Sequence, residues 1–195
     1  SKCVEVEDDM DVSALNLGMI GSYYYISYST VDLFAASVTS KTRIKGAMEI
    51  VSAASEFSEI PQVLVLLQNH FSRKSMASDL ASDLKLILKD SLKLLQALVD
   101  VISSQGWLKP ALSCMELSQM VVQGLWDKDS PMLQIPHFTP ETVTRLAALK
   151  TPVSSVFAVL EMEDDEREAA LQLSEVQMSD VATFCNSYPS IDVTF

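Results

Sequence analysis

Lys85, Lys89, Lys93, Gln96 and Asp100 recur at steps of four, four, three and four residues within DLASDLKLILKDSLKLLQALVDVIS (79–103). Residues three and four apart stack on one face of a helix, so this spacing aligns three ammonium groups and an amide as one polar stripe. Such a stripe could track successive phosphates of a single nucleic-acid strand. The same pattern is also the ordinary solvent face of an amphipathic helix. Arg73 and Lys74, following His70-Phe71, would lengthen the basic path. Tyr23, Tyr24 and Tyr25 carry rings able to stack on bases. Consecutive positions point in different directions around a helix, so core packing is their expected role.

Catalytic patterns are missing from the sequence. Lys45-Gly46 stands in the wrong order for a phosphate-binding loop and falls in a helical stretch. Glu163-Asp164-Asp165-Glu166 superficially resembles an acidic ATPase box but lacks the preceding apolar strand; it reads as the start of a helix, where carboxylates face the positive dipole end. Nucleophile elbows, paired-histidine zinc motifs and glycine-rich dinucleotide loops are also absent. Cys3, Cys114 and Cys185 are far apart and isolated from His70 and His137, which sets metal binding aside and fits free thiols in a reducing compartment. No catalytic residue, cofactor site or metal site is expected, and the apolar runs are too short for a membrane span.

The elements that must carry the stripe are helical. The chain has 195 residues, is 48% hydrophobic and holds five glycines and seven prolines, a balance that favours an all-α fold over a turn-rich sheet. A net charge of −12 speaks against the whole chain acting as a nucleic-acid clamp. Residues 1–12 read as an acidic, extended lead-in. One apolar, tyrosine-rich helix is expected over 15–38, buried on most sides, with Thr39 or Ser40 capping a second over 41–57. A third starts near Gln62. The long helix over 79–103 presents Leu84, Leu88, Ser91, Leu95, Leu98 and Ile102 to the core, and Gly106 closes it. Pro110 then opens a helix over 109–126.

Residues 127–139 form a connector, with three prolines in the stretch from Pro131 to Pro140. Short helices are expected at 140–149, 153–160, 164–171 and 174–187, the last capped by Ser174. Ile191 to Phe195 alternates like the beginning of a strand, so the chain reads as cut from something longer.

Several stretches together resemble a known unit: NLGMIGSYYYISYSTVDLF (16–34), LLQNHFSR (66–73), VDVISSQGW (99–107) and ALSCMELSQMVVQGLW (111–126). They are similar to the Sec-sixty-three-type unit that follows the winged helix in superfamily-two RNA helicases with two cassettes. SKCVEVEDDMDVSALNLGM (1–19), LEMEDDERE (160–168) and ATFCNSYPSIDV (182–193) resemble the C-terminal cassette of spliceosomal members. The resemblance implies a helical bundle over 13–126 with a central long "ratchet" helix, and a helix–loop–helix module over 140–192. Residues 193–195 would begin an immunoglobulin-like domain.

In active cassettes the ratchet lies across the threaded strand. Residues 84–103 match it, and Lys93 falls where active members carry a basic RNA-facing residue. The C-terminal cassette lacks unwinding activity, so the resemblance implies a non-catalytic nuclear region serving as scaffold, regulator and protein-docking platform. Its implied partners are the helicase core of the same polypeptide and other spliceosomal proteins, with direct single-stranded RNA contact as the alternative. ATP and magnesium would belong to the parent helicase. Relatives carry a further few tens of residues where Ile60-Pro61 here meets Val63-Leu64 through Gln62, which implies a segment missing near 61–62.

Overall fold

The computed structural model describes residues 2–8, 11–191 and 193–194. Alternating valine and acidic residues over 4–7 suit a strand, and the expected extended lead-in is instead a hairpin. Strand β1 (Val4–Glu7) pairs antiparallel with β2 (Asp11–Ala14), with Val6 opposite Val12. The hairpin is tied to the first helix where the Leu15 N–H donates to the Cys3 carbonyl at 2.9 Å. A Cβ on Gly18 would lie 2.1 Å from that carbonyl oxygen, so this close approach requires glycine.

The helix expected over 15–38 is broken in two, α1 (Asn16–Tyr24) and α2 (Tyr28–Ser37). Tyr25 adopts the left-handed region at φ 51° and the Ile26 N–H returns to the Gly21 carbonyl, the bond pattern that closes a helix end. Ser27 starts the next helix by accepting the Ser29 N–H. Glu56, distant in sequence, completes the corner by accepting the Ser27 N–H at 2.8 Å and the Thr30 hydroxyl.

Two further boundaries move. The second expected helix is shorter, α3 (Ile44–Ser52), because Thr39 and Thr42 close a turn before it and Ser55–Phe57 forms a separate 3-10 turn. Helix α4 (Val63–Phe71) follows Gln62, which takes φ 62°. α5 (Ser78–Ser103) and α6 (Leu108–Gln123) then pack together, Gly124 ending α6 in the left-handed region.

α5 touches α1, α2, α3, α4 and α6. Its sealed face is Ile87, Ser91, Leu94, Leu95, Ala97, Leu98, Val101 and Ile102, while Leu84 and Leu88 are half-buried. The core line is thus rotated from the expected one, and the N-terminal half of the helix leaves Leu80 and Leu86 exposed.

The chain divides into two compact units at Asp127/Lys128. In the second, a 3-10 turn (Pro131–Gln134) precedes α7 (Pro140–Ala147), α8 (Val156–Glu161), α9 (Asp164–Leu171) and α10 (Glu175–Ser187). Its own core gathers Met132, Ile135, Leu146, Val156, Val159 and Leu171. Ser174 and Gln177 form a reciprocal capping box at α10. Ile191, Val193 and Thr194 carry no regular structure, and Asp192 and Phe195, part of the alternating stretch, lie outside the described residues. Helices and one small hairpin make an all-α fold.

Candidate functional site

The surface that could meet a partner is built by α5 and the α1–α2 corner. Lys85, Lys89 and Gln96 are exposed along α5, as helical spacing requires. Lys93 is half-buried and bound to Asp90 at 3.0 Å. Asp100, the last member of the stripe, accepts the Tyr24 hydroxyl at 2.7 Å. Burial first, and then this bond to a carboxylate, push the Tyr24 phenol up to about 12. Tyr24, Gln96, Val99, Asp100, Met115 and Ser118 line a cleft of about 250 Å³, so the C-terminal half of the stripe is walled by α1 and α6. Among the described residues, Lys85 and Lys89 make no ion pair.

α5 is not a basic helix overall. Its sequence holds three lysines against Asp79, Asp83, Asp90 and Asp100, and the spacing of the first three aspartates places them together on the flank of the stripe.

The tyrosines depart from the expected core role. Tyr23, Tyr25 and Tyr28 are 76%, 91% and 71% exposed, and Met19, one turn before Tyr23, is also exposed. Tyr24 alone of the four turns inward, its ring edge-on to Tyr23 at 4.9 Å. The break at Tyr25 explains this: the corner feeds Ile26 to the core and throws the neighbouring rings outward. An exposed cluster of large amphipathic rings is the composition of interaction surfaces. Sequence reasoning missed it because no glycine or proline marks the corner.

Arg73 and Lys74 separate in role. The Arg73 guanidinium donates to the carbonyls of Gly124 and Gln123, each at 3.0 Å, and so completes the C-terminus of α6. The His70 Nε2–H donates to the Val121 carbonyl at 2.8 Å, Phe71 meets Trp126 edge-on, and the Trp126 indole donates to the Ser72 hydroxyl. A Cβ on Gly124 would come within 3.2 Å of the His70 ring. Residues 70–73 therefore clasp the end of α6, which is what the His-Phe-Ser-Arg stretch does here. Lys74 is exposed beyond this clasp and is not brought onto the stripe by any described contact.

Glu163 to Glu168 opens α9, with Asp164, Asp165 and Glu166 in its first turn. Arg167 turns back from it, donating to the carbonyls of Val159, Leu160 and Met162 and pairing with Asp164. The acidic run thus helps close α8 against α9. Cys3, Cys114 and Cys185 are buried and unbridged, and burial pushes the Cys114 thiol up to about 11. Among the described residues no three His, Cys, Asp or Glu side chains converge as a metal site, and no helix is long and apolar enough to cross a membrane.

Comparison with known proteins matches the chain to the Sec63 Brl domain in two pieces, residues 14–62 and 61–195. The pieces meet at Pro61-Gln62, where the left-handed Gln62 makes the junction. The human U5 small nuclear ribonucleoprotein 200 kDa helicase is 44% identical over 225 aligned positions, which include all 195 residues of this chain. The extra positions are residues that the relative has and this chain lacks. The Drosophila melanogaster protein of the same name and the Arabidopsis thaliana DExH-box ATP-dependent RNA helicase DExH12 are each also 44% identical across the whole chain. The chain spans about a tenth of the length of these relatives: 10%, 11% and 10% respectively. With nearly every residue covered and the helical bundle in place, this chain belongs to the Sec63 Brl domain family.

Proposed function

We propose that the chain is the non-catalytic accessory region of a spliceosomal ATP-dependent RNA helicase, from its C-terminal cassette, acting in the nucleus as scaffold and protein-docking platform. ATP and magnesium would be handled by the parent helicase core, to which this region would attach. The observation that carries the docking role is the exposed tyrosine corner, Tyr23, Tyr25 and Tyr28 beside Met19. Rings of this kind supply large contact area at small entropic cost and dominate many protein interfaces. The aspartates on α5 and the net charge of −12 weigh in the same direction, since both oppose phosphate binding.

The test replaces Tyr23, Tyr25 and Tyr28 together with serine in the parent helicase and measures its co-purifying proteins from nuclear extract by quantitative mass spectrometry. The platform reading expects several-fold loss of at least one splicing protein with ATP hydrolysis unchanged. An unaltered protein set would contradict it.

A second reading, single-stranded RNA along the ratchet stripe, is favoured by one observation. The Tyr24–Asp100 bond anchors the end of α1 on the stripe, which sets an aromatic corner at one end of Lys85 and Lys89's face. Basic groups with stacking rings at hand are the ingredients of single-strand binding.

A further inference from the structure

We infer that the groove between the entry to α3 and the first turn of α6 docks an acidic, leucine-bearing peptide segment of a partner protein; this deepens the platform reading and rests on it. The groove encloses about 710 Å³, and Lys41, Arg43, Lys45 and Lys109 line it together with Ile44 and Leu112. The whole sequence has 14 lysines and arginines against 26 acidic residues, so four cations around one groove is a local reversal of the chain's charge. Asp127 is the acidic residue on its wall, and Glu49 stands 3.8 Å from Lys45 on the exposed side of α3. Among the described residues no ion pair engages Lys41, Arg43 or Lys109, and all three side chains are exposed.

The backbone adds to this field. Helices α3 and α6 both begin here without a side-chain cap and without an acidic residue in the first turn. Their unsatisfied N–H groups carry partial positive charge of the sign the cations already set. Lys41 belongs to the turn before α3, Arg43 is its N-cap residue and Lys45 lies in its first turn, so the three cations gather at one helix start.

The lining also discriminates between polyanions. Leu112 is 52% exposed and Ile44 half-buried, so apolar side chains of an occupant have somewhere to go. Among the described residues no aromatic ring lines the groove, which leaves the bases of a nucleic-acid strand nothing to stack on. Carboxylates interleaved with leucines satisfy both the charge and the apolar floor, and the complementarity would act chiefly on orientation and association rate.

The experiment uses the 195-residue chain, its helix content confirmed by circular dichroism, and a fluorescein-labelled peptide of repeated Glu-Glu-Leu triplets. Anisotropy titrations at low and moderate salt compare wild type with a Lys41→Glu, Arg43→Glu, Lys109→Glu variant and with the milder glutamine version. The expected result is salt-sensitive binding weakened about tenfold or more by charge reversal and several-fold by glutamine. A Tyr23→Ser, Tyr25→Ser, Tyr28→Ser variant should bind the peptide like wild type.

Oligouridylate of equal charge is the competing probe. Its binding in place of the peptide, lost in the same variants, would overturn the peptide assignment in favour of a polyphosphate. Peptide binding indifferent to the groove residues, or none at all, would overturn the groove and leave the tyrosine corner as the docking surface. Failure of the tyrosine variant to alter protein capture would instead sink the platform reading itself.

Discussion

In the unit ending at Asp127, five helices pack on α5, whose Leu94, Leu98, Val101 and Ile102 are sealed from solvent. Among the described residues the second unit has no such helix. There α8 packs on α10 and α7 on α9, and long side chains reach between helix ends. Arg167 closes α8, Arg145 donates to the Leu171 carbonyl at the end of α9, and His137 meets Asp180 of α10 at 2.8 Å. Both units bury an apolar core, but in the first it is organised on one long helix, and in the second on short helices whose ends are also tied by long polar side chains. In the first unit Lys85, Lys89 and Gln96 stay exposed on the outer face of α5, whereas in the second Arg167, Arg145 and His137 are engaged by helix-end carbonyls and by Asp180.

That contrast can be broken most directly at Leu98. Leu98→Ala should cost about 3 kcal/mol, because it empties space at the fully buried centre of α5. Urea unfolding followed by tryptophan fluorescence reads it, since Trp107 and Trp126 both belong to the first unit. A loss under about 1 kcal/mol would mean that α5 is not the hub.

Arg167→Met should cost the second unit about 2 kcal/mol, leaving three carbonyls without their donor. Arg167→Lys should rescue little of it, because an ammonium cannot span those positions as the planar fork does. Cys185, buried beside Arg167, reports the change as faster modification by a thiol reagent.

Tyr24→Phe should cost about 1 kcal/mol at neutral pH, the value of one hydrogen bond to a charged acceptor on a partly open surface. The pH dependence sharpens the assignment. Because the folded phenol is pushed up to about 12 from 10.0, its contribution is whole below pH 10 and fades as pH rises through about 12. Alkaline unfolding of Tyr24→Phe should lack that component.

The smallest effect is expected at the junction. Gln62 at φ 62° is a side-chain-bearing residue in a region that favours glycine. Gln62→Gly should stabilise the first unit by up to about 1 kcal/mol, measured by the same urea titration.

Legibility followed the range of the interactions. α5 was plain from its periodicity, and α9 and α10 from the acidic first turn and from Ser174, because those signals are local. The α1–α2 corner was not, since a tyrosine takes the left-handed position and the decisive carboxylate, Glu56, arrives from far along the chain. For the same reason Arg73 read as a candidate for RNA when its guanidinium serves α6, some fifty residues away in sequence. The alignment of Lys85, Lys89 and Gln96 could be read from spacing alone. The diversion of Lys93 to Asp90 and of Asp100 to Tyr24 could not, because it depends on rotamers and on a neighbouring helix.

Under the proposed docking role, the outer surface of the first unit serves proteins rather than RNA. Fluorescence anisotropy with single-stranded RNA at two salt concentrations tests it most directly. The protein is the complete cassette containing this chain, wild type against Lys85→Gln, Lys89→Gln, Lys93→Gln, both confirmed folded by circular dichroism. The docking role predicts binding that is absent or indifferent to the three lysines. Salt-sensitive binding that disappears in the variant would contradict it and make the stripe on α5 an RNA grip.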